Sequence, residues 1–208
     1  MKTVKTVIPY KPVNPKSRLS AVFSETDRKK FVELSLENVL RSLKESKMEQ
    51  VEIISKSPLH PNEEKRIKSI FDGTDTEISI LTDTRDLNAA MNDYLKKSNC
   101  PILIVMADLA LMTKKDIESM ISEPFSKNGR PEGFVRIAPG KDGGTNMLYI
   151  QVPKYYEVNY YGESCKKHKE EAEKRNCACE IYESFSAAAD MDEPEDLENI
   201  LIHGSGEL

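Results

Sequence analysis

The longest apolar run of the chain, residues 102–107, constrains the fold more than any other segment. A strand that is apolar at every position is typical of the centre of a parallel sheet with helices on both faces. Predicted strands cover residues 3–9, 51–55, 77–82, 100–107, 133–138, 147–152 and 178–182. Predicted helices cover residues 62–71, 86–97, 164–175 and 194–203, and two more begin near Ser24 and Thr113. This alternation predicts an α/β fold with a mostly parallel sheet between helical layers. We treat residues 1–203 as one domain and expect residues 204–208 to fray.

Charge and composition exclude several classes of protein. The chain has 30 Lys and Arg residues against 35 Asp and Glu residues, a net charge of −5, so we expect it not to bind nucleic acid. The apolar run is far shorter than the roughly 20 residues that span a bilayer, so we expect no membrane segment. The first ten residues lack the apolar core of a secretory signal, and the four cysteines lack zinc-site spacing. We therefore expect a cytoplasmic protein with reduced thiols.

The loops that follow strands are the candidate sites, because ligands of open α/β sheets bind beyond the carboxyl ends of the strands. The loop after the first strand carries Lys11, Lys16 and Arg18 among three prolines. Such a stiff basic loop suits a polyphosphate, since Lys and Arg donate to phosphate oxygens, but a solvated turn explains its composition equally well. Asp108 follows the apolar strand, where it can bind a hard cation such as Mg²⁺ or simply close the strand.

Two later segments add further candidates. The paired glycines within residues 139–146 let backbone N–H groups approach an anion, with Thr145 and Asn146 as additional donors, although a hairpin turn is the alternative. Asp190 and Asp192 lie on the same side of an extended segment and can share a metal ion. In the competing interpretation Asp192 caps the last predicted helix, which leaves Asp190 unexplained.

Two polar residues on predicted helices have weaker functional interpretations. Asn88, in the helix at 86–97, can face a nucleotide, but an ordinary helix position is the favoured explanation. His168 lies among Lys and Glu residues on a polar helix, so we expect an exposed histidine and not a catalytic base. The sequence contains no Walker A loop, Ser-His-Asp order or Gly-x-Gly-x-x-Gly motif.

Six segments in order resemble the 2-phospho-L-lactate guanylyltransferase family. They are residues 8–19 (IPYKPVNPKSRL), 86–90 (DLNAA), 102–109 (ILIVMADL), 139–146 (PGKDGGTN), 161–168 (YGESCKKH) and 190–197 (DMDEPEDL). Each segment is short, but together they extend over nearly the whole chain. Residues 16–19 (KSRL) stand where the related molybdenum-cofactor guanylyltransferases have a glycine-rich loop, which favours the phospholactate branch.

The resemblance implies a fold and a reaction. The fold is a three-layer α/β/α sandwich of the nucleotide-diphospho-sugar transferase type. The reaction joins GTP to (2S)-2-phospholactate, giving lactyl-2-diphospho-5′-guanosine and pyrophosphate for coenzyme F-420 biosynthesis. The implied roles are Mg²⁺ binding by Asp108, Asp190 and Asp192; GTP binding by Lys11, Lys16, Arg18 and Asn88; phospholactate binding by Thr145, Asn146, Gly162 and Ser164; and catalysis by Lys16, Arg18 and Asp108.

Other activities are compatible with the same residues. The same site can use phosphoenolpyruvate in place of phospholactate. A sister enzyme of the family transfers the nucleotide to a sugar phosphate or to a molybdenum cofactor. A non-catalytic nucleotide-binding regulator is a further alternative, although the presence of all three acids argues against it. A homodimer and direct handover of the product to the next pathway enzyme also stay open.

Overall fold

The computed structural model describes residues 3–13, 16, 19–20, 22–124 and 132–190. Seven strands and six α-helices alternate through these ranges. The strands are β1 (Lys5–Tyr10), β2 (Gln50–Ser55), β3 (Glu77–Thr82), β4 (Ile102–Val105), β5 (Gly133–Pro139), β6 (Thr145–Ile150) and β7 (Cys177–Ile181). The helices are α1 (Glu25–Glu45), α2 (Pro61–Ser69), α3 (Leu87–Lys97), α4 (Lys114–Ile121), α5 (Ser164–Lys174) and α6 (Phe185–Ala188), and Pro153–Tyr155 forms a short 3₁₀ turn.

All seven strands form one sheet in the order β3-β2-β1-β4-β6-β5-β7. Every neighbouring pair is parallel except the two pairs that involve β6, which runs antiparallel to β4 and β5. The prediction of a mostly parallel sheet is therefore confirmed. Because β6 runs the other way, its first residues lie at the edge where the parallel strands end.

The central strand β4 explains why two helical layers are needed. Leu103 and Val105 belong to the core on the side of α1, α2 and α4, whereas Ile102 and Ile104 belong to the core on the side of α3 and α5. All four side chains are inaccessible to solvent. This burial on both faces confirms the three-layer α/β/α sandwich.

Local capping signals set the starts of several helices. Ser24 accepts the backbone N–H of Asp27, Asp86 accepts that of Ala89, and Thr113 forms a reciprocal capping box with Asp116. Each of these bonds satisfies a donor that the first turn of a helix leaves unpaired. His60 caps α2 by accepting the N–H of Asn62.

The differences from the predicted elements arise where tertiary pairing decides. Strand β4 is shorter than predicted, and β6 begins at Thr145 instead of residue 147 because its first residue pairs with Pro139 of β5. Helix α6 and the 3₁₀ turn were not predicted. The expected helix at 194–203 and the expected frayed tail at 204–208 lie outside the described residues.

Two expectations about composition can be compared with the structure. All four cysteines are free, and the prediction that the thiols are reduced stays a prediction. None of the helices in the described ranges has both the length and the apolar character needed to cross a bilayer.

Candidate active site at the carboxyl edge of the sheet

The topology brings three predicted loops to one edge of the sheet. Strands β1 and β4 are parallel neighbours, so the loops that follow Tyr10 and Val105 leave the sheet side by side. Strand β6 is antiparallel to β4 and starts at this same edge with Thr145. The backbone N–H of Met106 donates to the carbonyl of Asn146 at 2.9 Å, which joins the exit of β4 to the start of β6.

The basic loop and the acid after β4 meet directly. The Lys16 ammonium forms an ion pair with Oδ2 of Asp108, across 92 positions of sequence. The Lys16 side chain is only 8% exposed, whereas that of Asp108 is 28% exposed and therefore open to solution. The pair thus places one cation and one carboxylate at the ligand edge of the sheet.

The backbone of Lys16 has a conformation that is unusual for a residue with a side chain. Its φ angle is +48°, in the left-handed region, which costs roughly 1–2 kcal/mol for a residue other than glycine. Lys11 follows β1 immediately and is exposed at the same edge. Arg18 lies outside the described residues, so its role stays a prediction.

Asn146 connects this edge to the acidic segment near the end of the chain. Its side chain is 4% exposed, and its Nδ2 donates to the carbonyls of Ala187 at 3.0 Å and Ala188 at 3.4 Å. Asp190 follows two residues later, within about 7 Å of Ala188 along the chain. The two hydrogen bonds of Asn146 therefore hold the segment that leads to Asp190 against the start of β6.

One carboxylate at this edge is of the type that binds a hard divalent cation. The Asp108 carboxylate is accessible and offers the oxygen ligands that Mg²⁺ prefers, and the role of Asp190 as a second ligand stays a prediction. Within the described ranges, no three Asp, Glu, His or Cys side chains converge into a group that could hold a metal ion. The third predicted ligand, Asp192, lies outside those ranges.

A buried carboxylate that the sequence analysis missed holds the segment leading to Asp190. Asp116 is 2% exposed and accepts hydrogen bonds from Tyr182 at 3.0 Å, Ser184 at 2.5 Å and Ser186 at 2.7 Å, besides its capping bonds to Thr113. Burial alone would raise the pKa of Asp116, but the hydrogen bonds from Ser184, Thr113 and Ser186 outweigh burial and lower it. Since two of these donors lie in the connection of β7 to α6 and the third, Ser186, lies in α6 itself, Asp116 fixes the approach of this segment.

The glycine loop is a tight turn, as one of its two interpretations predicted. Gly140 donates its N–H to the carbonyl of Gly144 at 3.1 Å, and Gly143 has a φ of +74°. The carbonyl of Gly143 accepts the N–H of Cys165 at 3.1 Å, which ties the turn to the first turn of α5. The turn thereby brings Thr145 of β6 next to Ser164 of α5.

Replacing Gly140 with Ala is expected to destabilise the fold by about 1–3 kcal/mol, because it overpacks a filled site. A Cβ at this position would lie 2.8 Å from Oδ1 of Asn146, whose amide is held by Ala187. Urea denaturation measures the change. The matched control is Gly144→Ala, where a Cβ meets nothing within 4 Å; equal effects of the two variants would contradict the prediction.

A buried polar cluster of Thr145, Ser164 and His168 lies between the start of β6 and α5. Oγ1 of Thr145 lies 3.0 Å from Nδ1 of His168 and accepts the hydroxyl of Ser164 at 3.1 Å. The expectation that His168 is exposed is wrong, because its side chain is inaccessible to solvent. Ser164, His168 and Ala172 follow each other at intervals of four residues and form the buried face of α5. That spacing was the sequence signal that could have revealed the burial.

Unfolding should become easier as the pH falls from about 6.5 towards 4, and His168 should account for part of the change. Burial, together with the nearby charge of Lys167, lowers the pKa of His168 to about 4, so the unfolded chain takes up a proton that the folded chain rejects. The expected loss from this group is about 2–3 kcal/mol between pH 7 and pH 4.5. Urea denaturation of the wild type and of His168→Asn at both pH values isolates the contribution of His168 to the free energy of unfolding. If both proteins lost the same free energy between the two pH values, the prediction would be wrong.

The remaining predicted site residues line the adjacent loop. Asn88 of α3 accepts the N–H of Tyr160 at 2.8 Å and donates to Asn159 at 3.3 Å, so it supports this loop. Gly162 has a φ of +69°, a conformation that glycine adopts without strain. The predicted contact of Asn88 with guanosine stays a prediction.

Comparison with known proteins identifies the family. The model of the family described as "Guanylyl transferase CofC like" matches residues 4–208. A 2-phospho-L-lactate guanylyltransferase of Methanosarcina mazei is 45% identical over 203 residues, covering 98% of this chain and 88% of the relative. The enzyme of the same name from Methanosarcina barkeri is 41% identical with the same coverage of both chains.

Solved structures confirm the fold. A protein from Desulfovibrio desulfuricans G20 assigned to the nucleotide-diphospho-sugar transferases superposes with a TM-score of 0.65 at 16% identity, covering 97% of this chain and 87% of the other. A cytidylyltransferase from Leptospira borgpetersenii superposes with a TM-score of 0.58 at 16% identity, covering 96% and 85%. The fold is therefore of the nucleotide-diphospho-sugar transferase type, and the chain belongs to the CofC-like guanylyltransferase family.

Proposed function

We propose that this chain transfers GMP from GTP to (2S)-2-phospholactate, forming lactyl-2-diphospho-5′-guanosine and pyrophosphate in coenzyme F-420 biosynthesis. The family supports the reaction, since its relatives are named 2-phospho-L-lactate guanylyltransferases. The observation that carries the proposal is the ion pair between Lys16 and Asp108 at the carboxyl edge, with the Thr145–Ser164 hydroxyls on the neighbouring strand and helix. We propose that the groups at this edge bind the two anions of the reaction, the triphosphate of GTP and phospholactate, which have to approach each other.

The chemistry needs no general base. An oxygen of the phospholactate phosphate attacks the α-phosphorus of GTP, a new P–O bond forms, and the bond from the α-phosphorus to the bridging oxygen of the β-phosphate breaks. Pyrophosphate leaves with the bonding electrons. The attacking oxygen is already ionised at neutral pH, so no proton has to be removed. A neutral, buried His168 is compatible with this mechanism.

The main barrier is repulsion between two anions, and cations lower it. Besides its ion pair with Asp108, the Lys16 ammonium is proposed to donate to a phosphate oxygen. Lys11 and Arg18 are proposed to bind the triphosphate beside it. Asp108, Asp190 and Asp192 would hold Mg²⁺, which when bound neutralises phosphate charge and orients the reacting groups.

The acceptor is proposed to bind between β6 and α5. Thr145, Ser164 and the backbone of Gly162 would receive its carboxylate or phosphate. Asn146, whose amide donates to the carbonyl of Ala187, is proposed to line this pocket beside Thr145. Guanosine is proposed to lie near Asn88, at the start of α3.

Pyrophosphate release from GTP, Mg²⁺ and enantiopure (2S)-2-phospholactate tests the proposal. We expect release that requires all three components, with ATP much less effective than GTP. Release with phosphoenolpyruvate alone would move the chain to the sister reaction with the same site. GTP binding without release for any acceptor would contradict an enzymatic role.

Three further points belong with this proposal. The enzyme is expected to act in the cytoplasm, and a homodimer and handover of its product to the next enzyme of the pathway are open alternatives to be tested. Sedimentation measures the oligomeric state, and a coupled assay with the next enzyme measures the handover.

A further inference from the structure

A single side chain connects three elements that surround the proposed acceptor pocket. His168 lies on α5, one turn after Ser164, and contacts Thr145 at the start of β6 through Nδ1. Its Nε2 accepts the backbone N–H of Asn159 at 3.1 Å, in the loop that leads to Gly162. The ring also packs edge-on against Tyr160, with centroids 5.0 Å apart.

These contacts determine the tautomer of the imidazole. A neutral imidazole has one N–H donor and one acceptor nitrogen. Because a backbone N–H can only donate, Nε2 is the acceptor and the proton resides on Nδ1. Nδ1 therefore donates to Oγ1 of Thr145. Burial keeps the ring neutral, since it lowers the pKa of His168 to about 4.

The Thr145 hydroxyl consequently has both lone pairs engaged. One accepts from His168 and the other accepts from the hydroxyl of Ser164. Within the described part of the chain, the structure shows no acceptor for the proton of this hydroxyl, although Thr145 is only 4% exposed. A buried donor without an acceptor is costly, so a ligand oxygen at this position gains a strong hydrogen bond.

We propose that His168 is a positioning residue that turns Thr145 into an obligate hydrogen-bond donor and so makes the pocket selective for an anionic acceptor. This inference rests on the proposed function and deepens it. The imidazole touches no reacting atom and transfers no proton. It holds Thr145 in one orientation and keeps the loop at Asn159 against α5.

Two conservative variants separate the two contacts of the ring. His168→Gln can place an oxygen near Nε2 to accept the N–H of Asn159, but it removes the donor to Thr145. His168→Asn retains a donor near Nδ1 and removes the other contact. In the pyrophosphate assay we expect His168→Gln to raise the KM for the acceptor about tenfold or more, with the KM for GTP changed less than about twofold. His168→Asn should lie closer to the wild type.

A double-variant cycle tests whether the effect passes through Thr145. Thr145→Val should raise the KM for the acceptor like His168→Gln, and the double variant should add little. A merely structural role would raise the KM for both substrates together or lower kcat alone. Either result, or additive effects in the double variant, would overturn the proposal.

The tautomer can be measured without any turnover. The ¹⁵N resonances of the imidazole rings report which nitrogen carries the proton, and the chain has only three histidines, so His168→Gln identifies the signal. We expect a neutral ring protonated at Nδ1 from pH 6 to 8. Protonation at Nε2, or a charged ring, would overturn the inference even if the enzyme used no phospholactate. Absence of phospholactate-dependent release, with this tautomer present, would instead refute the proposed function.

Discussion

Asp108→Asn is expected to lower kcat/KM for GTP by at least about 10²-fold while the fold stays intact. The substitution preserves shape but removes the accessible negative charge at the end of β4. A hard cation binds a carboxylate much better than an amide, so the site loses its ability to neutralise the triphosphate. The amide oxygen can still accept a hydrogen bond from Lys16, so we expect only a small loss of folding free energy. Each kcal/mol that is lost lowers the melting temperature by about 2–4 °C. Steady-state pyrophosphate release and a thermal melt measure the two effects.

Asp83→Asn is the matched control for this variant. Asp83 follows β3 at the same edge of the sheet and pairs with Arg85 at 2.5 Å, but it lies on the far side of β2 from β1. An exposed pair of this kind contributes little to stability, and it lies away from the candidate site, so activity should change little. Near-normal activity of Asp108→Asn, or an equal loss in Asp83→Asn, would refute the assignment of Asp108 to the site.

Arg136→Met is expected to reduce the free energy of unfolding by about 3–5 kcal/mol, with a fall in melting temperature of roughly 6–20 °C. Arg136 of β5 is 1% exposed and pairs with Glu180 of β7 at 2.7 Å. Its guanidinium also donates to carbonyls at the end of α4, those of Ser119, Met120, Ser122 and Glu123. Methionine fills the volume but removes the hydrogen bonds that Arg136 donates to these carbonyls and to the Glu180 carboxylate.

The control for Arg136 is an exposed ion pair. Arg41→Met removes an arginine whose side chain is 62% exposed and which pairs with Glu37 one turn away on α1. Such a pair is worth about 0.3–0.5 kcal/mol. Arg136→Lys retains the charge without the planar fork and should lie between the two. Urea denaturation compares the three variants, and a loss below about 1 kcal/mol in Arg136→Met would contradict the prediction.

The elements of the fold could be predicted because their signals are local. Four consecutive buried apolar residues predict β4 as a central strand, and Ser24, Asp86 and Thr113 mark the helix starts through bonds to residues three positions later. The site could be predicted in outline for a general reason. Parallel strands end at one edge, so the loops carrying Lys16 and Asp108 had to leave the sheet together.

The residues that were missed or misjudged depend on contacts between distant segments. His168 looks solvated on a polar helix, and only the packing of α5 against β6 and the loop at Asn159 buries it. In the sequence, Arg136 and Asp116 resemble ordinary exposed charged residues. In the fold, each is buried and forms hydrogen bonds with an element more than ten residues away. No local pattern reports such partners.

The sequence by itself therefore determined the order of strands and helices, the layered architecture and the loops that meet at the ligand edge. These follow from hydrophobic periodicity, capping and the shared direction of parallel strands, which act over a few residues. Only the tertiary structure decided that β6 runs backwards and begins at Thr145, that Asn146 ties the Asp190 segment to this edge, and that His168 is a buried donor. The reason is physical: a hydrogen bond or an ion pair needs its partner within about 3 Å, and the folded chain alone sets that distance.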